Sequence, residues 1–123
     1  MRNSKPFDHH SLAYYPASEI TKIGFPTALG IELFFIHEIL FLEGKSNYTS
    51  IMTVTGEILV SKTLAEMHSK LPKPFVRIHK SFVINVNLSI SVNLKQRQVK
   101  LINGISLPIS IRLKKSLQEL IIG

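Results

Sequence analysis

The chain has 123 residues, 45% hydrophobic and 19% charged, with a net charge of +7 and no cysteine. That gives room for one domain with a real core and excludes disulfides and thiolate metal sites. The charge is lopsided: residues 67–123 carry ten Lys/Arg against one acid, Glu119, a net +9, whereas residues 1–66 carry five against seven. Such a basic half points to a polyanionic partner, nucleic acid or an anionic membrane surface.

Residues 1–19 mix Pro6, Pro16, His9 and His10 without a period and read as a flexible tail. They hold no apolar run, so no signal peptide is expected there. Ile20 to Phe25 predicts a strand ending at Pro26, and Ala28-Leu29-Gly30 turns into a second extended segment, Ile31 to Phe35. Ile39 to Leu42 predicts a buried strand, followed by a polar loop, Glu43 to Asn47. Ile31 to Leu42 is the longest apolar stretch, broken by Glu32, His37 and Glu38. A membrane span needs about 20 apolar residues, so none is expected, and the protein is expected in the cytoplasm. Tyr48 to Val54 and Ile58 to Val60 form a hairpin around Thr55-Gly56-Glu57.

Thr63-Leu64-Ala65-Glu66 is a capping box. Leu64, Met67, His68 and Leu71 then follow helical spacing, and Pro72 stops the helix. So short a helix must be packed against a sheet to persist. Beyond it, Arg77-Ile78-His79-Lys80-Ser81 reads as a loop handing over to a core strand, Phe82-Val83-Ile84. Leu88, Ile90, Val92 and Leu94 alternate with polar residues, a half-buried strand. A basic turn, Lys95 to Gln98, follows, and Asn103-Gly104 predicts a type I′ hairpin. Ile105, Leu107, Ile109 and Ile111 alternate again, and Leu113, Leu117, Leu120 and Ile121 predict a C-terminal helix. The expected class is mainly β: elongated antiparallel β-sheets with one short internal helix and a C-terminal helix. Without βαβ alternation no doubly wound sheet is expected.

Catalytic constellations are missing. There is no phosphate-binding glycine loop and no G-x-S-x-G elbow, and Asp8 is the single aspartate. No nucleophile stands with a base and an orienting group, so no enzyme, no cofactor and no metal site are expected. His9-His10 lacks a third ligand, His37 lies in a connection, and His68 falls on an apolar helix face, where a core histidine is the commoner case.

Three blocks together resemble one family. Ile39-Leu40-Phe41-Leu42-Glu43-Gly44-Lys45-Ser46-Asn47-Tyr48 resembles the opening signature of LytTR DNA-binding domains. Phe75-Val76-Arg77-Ile78-His79-Lys80-Ser81-Phe82-Val83-Ile84-Asn85 is similar to the family's F-x-R-x-H-x-S-(hydrophobic)₃-N block. Asn103 to Ser110 resembles its last hairpin, with Arg112 close behind. The likeness divides the chain into a tail, residues 1–19, and a LytTR-like DNA-binding domain, residues 20–123.

What the resemblance implies is a sequence-specific bacterial transcriptional regulator. Family members place loops in successive major grooves of double-stranded DNA, often at paired direct repeats, so a second copy on a tandem site is implied. Many carry a receiver domain upstream, and residues 1–19 are too short for one. The expected input is then a sensor or receiver partner in trans, or the protein's own abundance. Carried over by position, the DNA contacts are Lys45, Ser46, Asn47 and Tyr48; Arg77, His79, Lys80 and Ser81; and Arg112, with Lys114 and Lys115 beside it. Many members have Ser and Arg adjacent, whereas here Ile111 separates Ser110 from Arg112.

The residues themselves leave alternatives open. His79 either reaches DNA or holds its turn. Asn85 fits a turn-stabilising side chain better than a base reader. Tyr48 is a DNA contact or a core residue. Cations in the first turns of a helix oppose its dipole, which makes sense at Arg112, Lys114 and Lys115 if a phosphate backbone arrives there. The competing reading is a protein-interaction or membrane-associated regulatory module with the same fold and no DNA role.

Overall fold

The computed structural model describes residues 22–122. The tail expected over residues 1–19 lies outside them, as do Ile20 and Thr21. Among the described residues ten strands form three antiparallel sheets, with two α-helices. β1 (Lys22–Thr27) and β2 (Gly30–Phe35) make a two-stranded ribbon. The central sheet has the order β5-β4-β3-β7-β6. Its members are β3 (Ile39–Lys45), β4 (Tyr48–Thr53), β5 (Gly56–Val60), β6 (Phe75–His79) and β7 (Phe82–Asn85). β8 (Ser89–Asn93), β9 (Gln98–Leu101) and β10 (Ser106–Pro108) form the third sheet. α1 (Leu64–His68) lies between β5 and β6 in the chain, and α2 (Ile111–Ile121) closes it. No helix among the described residues is long and apolar enough to cross a membrane.

The central sheet is apolar on both faces. Ile39, Leu42, Ile51, Val60 and Val83 pack with Phe25 of the ribbon and with Leu64 and Met67 of α1. Leu40, Phe41, Ile78 and Ile84 pack on the other face with Val99, Leu101, Leu107 and Leu117. Strict alternation would send Leu40 and Phe41 to opposite faces. A register shift between Ile39 and Phe41 puts both on the same one.

The capping box of α1 is present with both bonds. Glu66 N–H donates to Thr63 Oγ1 at 3.2 Å, and Thr63 N–H donates to Glu66 Oε1 at 2.9 Å. The helix stops at His68 rather than running to Pro72. Pro72 has no N–H to give the His68 carbonyl four residues back, and that carbonyl takes Leu71 N–H instead, at 3.1 Å.

Several expected boundaries move. β1 continues through Pro26 to Thr27, tolerated because the ribbon is only two strands wide. Glu43, Gly44 and Lys45 are strand, because Tyr48 to Ser50 pair with them. The turn between β4 and β5 falls at Val54-Thr55, one residue early. Arg77 to His79 is strand, not loop, since β6 pairs with β7. The Leu88–Leu94 alternation breaks at Ile90, the extra residue between Ser89 and Ser91, which is 61% exposed. Asn103-Gly104 is not a two-residue type I′ turn. Gly104 N–H reaches Leu101 O at 2.9 Å and Leu101 N–H reaches Ile105 O at 2.8 Å, with positive φ at Gly104 alone in that loop. This is a three-residue loop with a glycine bulge; Asn103 Oδ1 holds it by accepting from Ile105 N–H at 3.1 Å. Ile111 does not prolong a strand: it begins α2 and is 75% exposed. In α2, Leu117 is buried, but Leu120 faces solvent.

Candidate nucleic-acid interface

Lys45 pairs with Tyr48, so Ser46-Asn47 is a two-residue turn at the end of β3 and β4. Ser46 has φ 66°, positive at the first central position as in type II′ turns. Tyr48 is 40% exposed, not core. Lys45 Nζ lies 3.5 Å from a Glu43 carboxylate oxygen. Behind the turn, the buried Thr49 Oγ1 donates to Lys62 O at 2.8 Å.

His79 pairs with Phe82, so Lys80-Ser81 is a second two-residue turn. β3 and β7 are neighbours, with Glu43 opposite Phe82, which brings this turn to the same end of the sheet as the first. Gly44 N–H donates to Ser81 O at 2.9 Å, tying the two hairpins together. A Cβ at Gly44 would lie 3.2 Å from Leu64 Cβ, so α1 also presses directly on this junction.

The turn is braced from within. Arg77 Nε donates to His79 O at 2.9 Å, and a terminal guanidinium nitrogen donates to Lys80 O at 2.6 Å. Ser81 N–H donates to His79 Nδ1 at 3.0 Å, and the imidazole lies 5.7 Å from the Phe82 ring. Lys80 is exposed. Asn85 lies at the far end of β7, fully buried. Its Nδ2 donates to Ile36 O and Ile39 O, both at 3.0 Å, and its Oδ1 accepts from Asn87 N–H at 3.1 Å. It is a structural side chain with no access to a ligand.

The third segment joins through one long-range bond. Ser110 N–H donates to Ile78 O at 2.8 Å, and Ser110 Oγ caps α2 by accepting Leu113 N–H at 3.1 Å. Ile78 is the bulged residue of β6, and its register shift frees that carbonyl. Arg112 is therefore held two residues from an anchor on the β6–β7 hairpin. Arg112 and Lys115 are exposed and three apart, on neighbouring helix positions. Lys114 is half-buried and about 200° around the axis from Arg112. The three cations do not form one cluster.

Arg97 comes from the basic Lys95–Gln98 turn, outside the DNA contacts carried over by position. It adopts a left-handed φ of 54° in the β8–β9 turn, and its carbonyl accepts Ile109 N–H at 2.9 Å. A polar groove of about 210 Å³ runs between Arg97, His79 and Ser110. The basic turn was visible in the chain; its sharing of a groove with His79 was not. Among the described residues no group of three or more His, Asp or Glu side chains is placed to hold a metal ion.

Comparison with known proteins agrees with this architecture. No curated protein matches the chain by sequence. Among solved structures, it is similar to the LytTr DNA-binding domain of a Bacillus cereus protein described as a methyl-accepting/DNA response regulator. That likeness has a TM-score of 0.71 at 23% identity and covers 82% of this chain and 96% of that one. It is a likeness of fold. The family model described as "LytTr DNA-binding domain" matches residues 30–122, well over half of the sequence, and the chain belongs to that family.

Proposed function

We propose that this domain is a sequence-specific transcriptional regulator that reads the major groove through loops rather than a recognition helix, at paired direct repeats. The observation that carries the reading is the meeting of three segments at one end of the central sheet. The Lys45–Tyr48 turn and the His79–Ser81 turn are joined by Gly44 N–H to Ser81 O, and the start of α2 is joined by Ser110 N–H to Ile78 O. Rigid turns on a paired sheet hold side chains better than free loops do.

In this reading Lys80 and Arg112, both exposed, are the base readers, since Lys and Arg match the guanine O6/N7 edge. His79 offers its Nε2–H to an acceptor on a base or phosphate. Lys45, Ser46, Asn47 and Tyr48 engage the adjoining groove, and Ser81, Lys114 and Lys115 serve the phosphates. Arg77 acts indirectly, as the brace of the second turn. A second copy occupies the neighbouring repeat, and a sensor or receiver partner in trans supplies the input.

Fluorescence anisotropy with a duplex selected from genomic fragments, against a scrambled duplex, tests this. Lys80→Ala or Arg112→Ala should cost about 1–3 kcal/mol on the selected duplex and relax specificity at one base. Equal affinity of the unaltered protein for both duplexes across salt would sink sequence-specific readout.

A further inference from the structure

A cleft of about 310 Å³ opens between the β1–β2 ribbon and α1. Its floor is the buried side chains of Phe25 and Met67, and its walls include Ile31 and Leu71. Lys62 and Lys70 are its charged lining residues, and no acid lines it. Among the described residues neither lysine forms an ion pair within 4.0 Å; the pair found is Lys45–Glu43. Glu66 shares α1 and attracts both lysines, but it does not line the cleft, and its Oε1 is taken by Thr63 N–H and by the Thr63 hydroxyl, at 2.9 and 3.0 Å.

The cleft has the size of a small-molecule site, apolar with a few convergent polar groups. Lysines carry apolar stems and a charged tip, so they can flank an aliphatic chain and still present ammonium groups at its mouth. We propose that this cleft binds an anionic amphiphile, a single-chain aliphatic carboxylate, with its tail over Phe25 and Met67 and its headgroup at Lys62 and Lys70. The charge fixes the class: an apolar trough alone would accept a neutral or cationic amphiphile as readily. None of its lining residues belongs to the proposed DNA contacts, so binding here is measured apart from DNA readout.

The test is a solution NMR titration of the full chain with octanoate below its micelle concentration, with octanol and octylammonium as controls. Saturable methyl shifts are expected at Met67 and Ile31 for octanoate, with binding about tenfold weaker for octanol, a difference of about 1.4 kcal/mol. Octylammonium should give none. The double variant Lys62→Gln/Lys70→Gln should bring octanoate down to the octanol level while still unfolding in one cooperative melting transition, because both lysines lie outside the core. Equal binding of octanoate and octanol, shifts confined to the Lys80 and Arg112 end, or no saturation at Met67 would overturn the proposal.

Discussion

The backbone N–H of Ser81 donates to Nδ1 of His79 at 3.0 Å, so the imidazole holds the turn with one nitrogen and keeps its proton on the other. The two readings of this histidine are thus compatible: Nδ1 serves the fold, and Nε2–H is left for an acceptor.

His79→Ala should lower stability by about 1 kcal/mol, because Ser81 N–H loses its acceptor, and should weaken DNA binding as well. His79→Asn separates the roles. An asparagine can accept from the N–H two residues on, so the turn is kept while the outward reach is lost. Urea denaturation should place His79→Asn near the unaltered protein, with anisotropy placing it near His79→Ala. If His79→Asn binds DNA at full strength, Nε2 has no part in binding.

Arg77 spans the same turn from the strand below, with bonds to His79 O and Lys80 O. Arg77→Lys should behave almost like Arg77→Ala, since one ammonium cannot reproduce a planar fork. Both should lose roughly 1–2 kcal/mol in chemical denaturation, at the low end for charged donors because the site is partly exposed. A salt slope of DNA binding reduced by about 1 would instead identify Arg77 as a direct phosphate contact.

Asn85 is fully buried and spends its amide on three partners. Asn85→Ala orphans two carbonyls and one N–H, and should cost about 2–4 kcal/mol. Asn85→Asp should be no better, because a carboxylate cannot donate to Ile36 O and Ile39 O. The unfolding midpoint in urea reads this directly, and a loss under about 1 kcal/mol would contradict the assignment.

The Glu66 carboxyl is held below its ordinary value of 4.5, chiefly by Thr63 N–H, then by the Thr63 hydroxyl, with Lys62 and Lys70 adding attraction. A depressed folded value stabilises the folded state fully above about 4.5 and loses that contribution as pH falls through the lower folded value. Glu66→Gln should therefore flatten the acid limb of stability in that window and leave the slope near neutrality unchanged. Denaturation across an acid pH series, compared with the parent protein, measures it. An identical acid limb in both would show that the capping carboxylate is not linked to folding.

Local signals were legible where local chemistry decides them. Thr63 and Glu66 announce the start of α1 because their bonds stay within one turn. The β4–β5 and β9–β10 hairpins show because a glycine in or beside each turn permits the positive φ found there, although Gly104 serves a three-residue loop rather than a two-residue one. Periodicity failed at bulges. Ile78 and Ile90 each add a residue to one strand, which shifts every later side chain and hides β6 and the true face of β8. Glu43 and Lys45 look like loop residues because polarity says nothing about a hydrogen-bonded partner further along the chain.

By itself the sequence determined the mainly β class, the two helices and the basic C-terminal half, which rest on composition, spacing and short-range bonding; the three blocks added a family resemblance. Tertiary structure alone decided which basic segments meet. β7 inserts beside β3, although β4, β5, α1 and β6 lie between them in the chain. Ser110 finds the carbonyl that the bulge at Ile78 leaves free, and Arg97 and His79 come to line one groove. Such pairings are set by burial of two apolar faces and by satisfaction of distant backbone groups, and neither leaves a periodic trace in the chain.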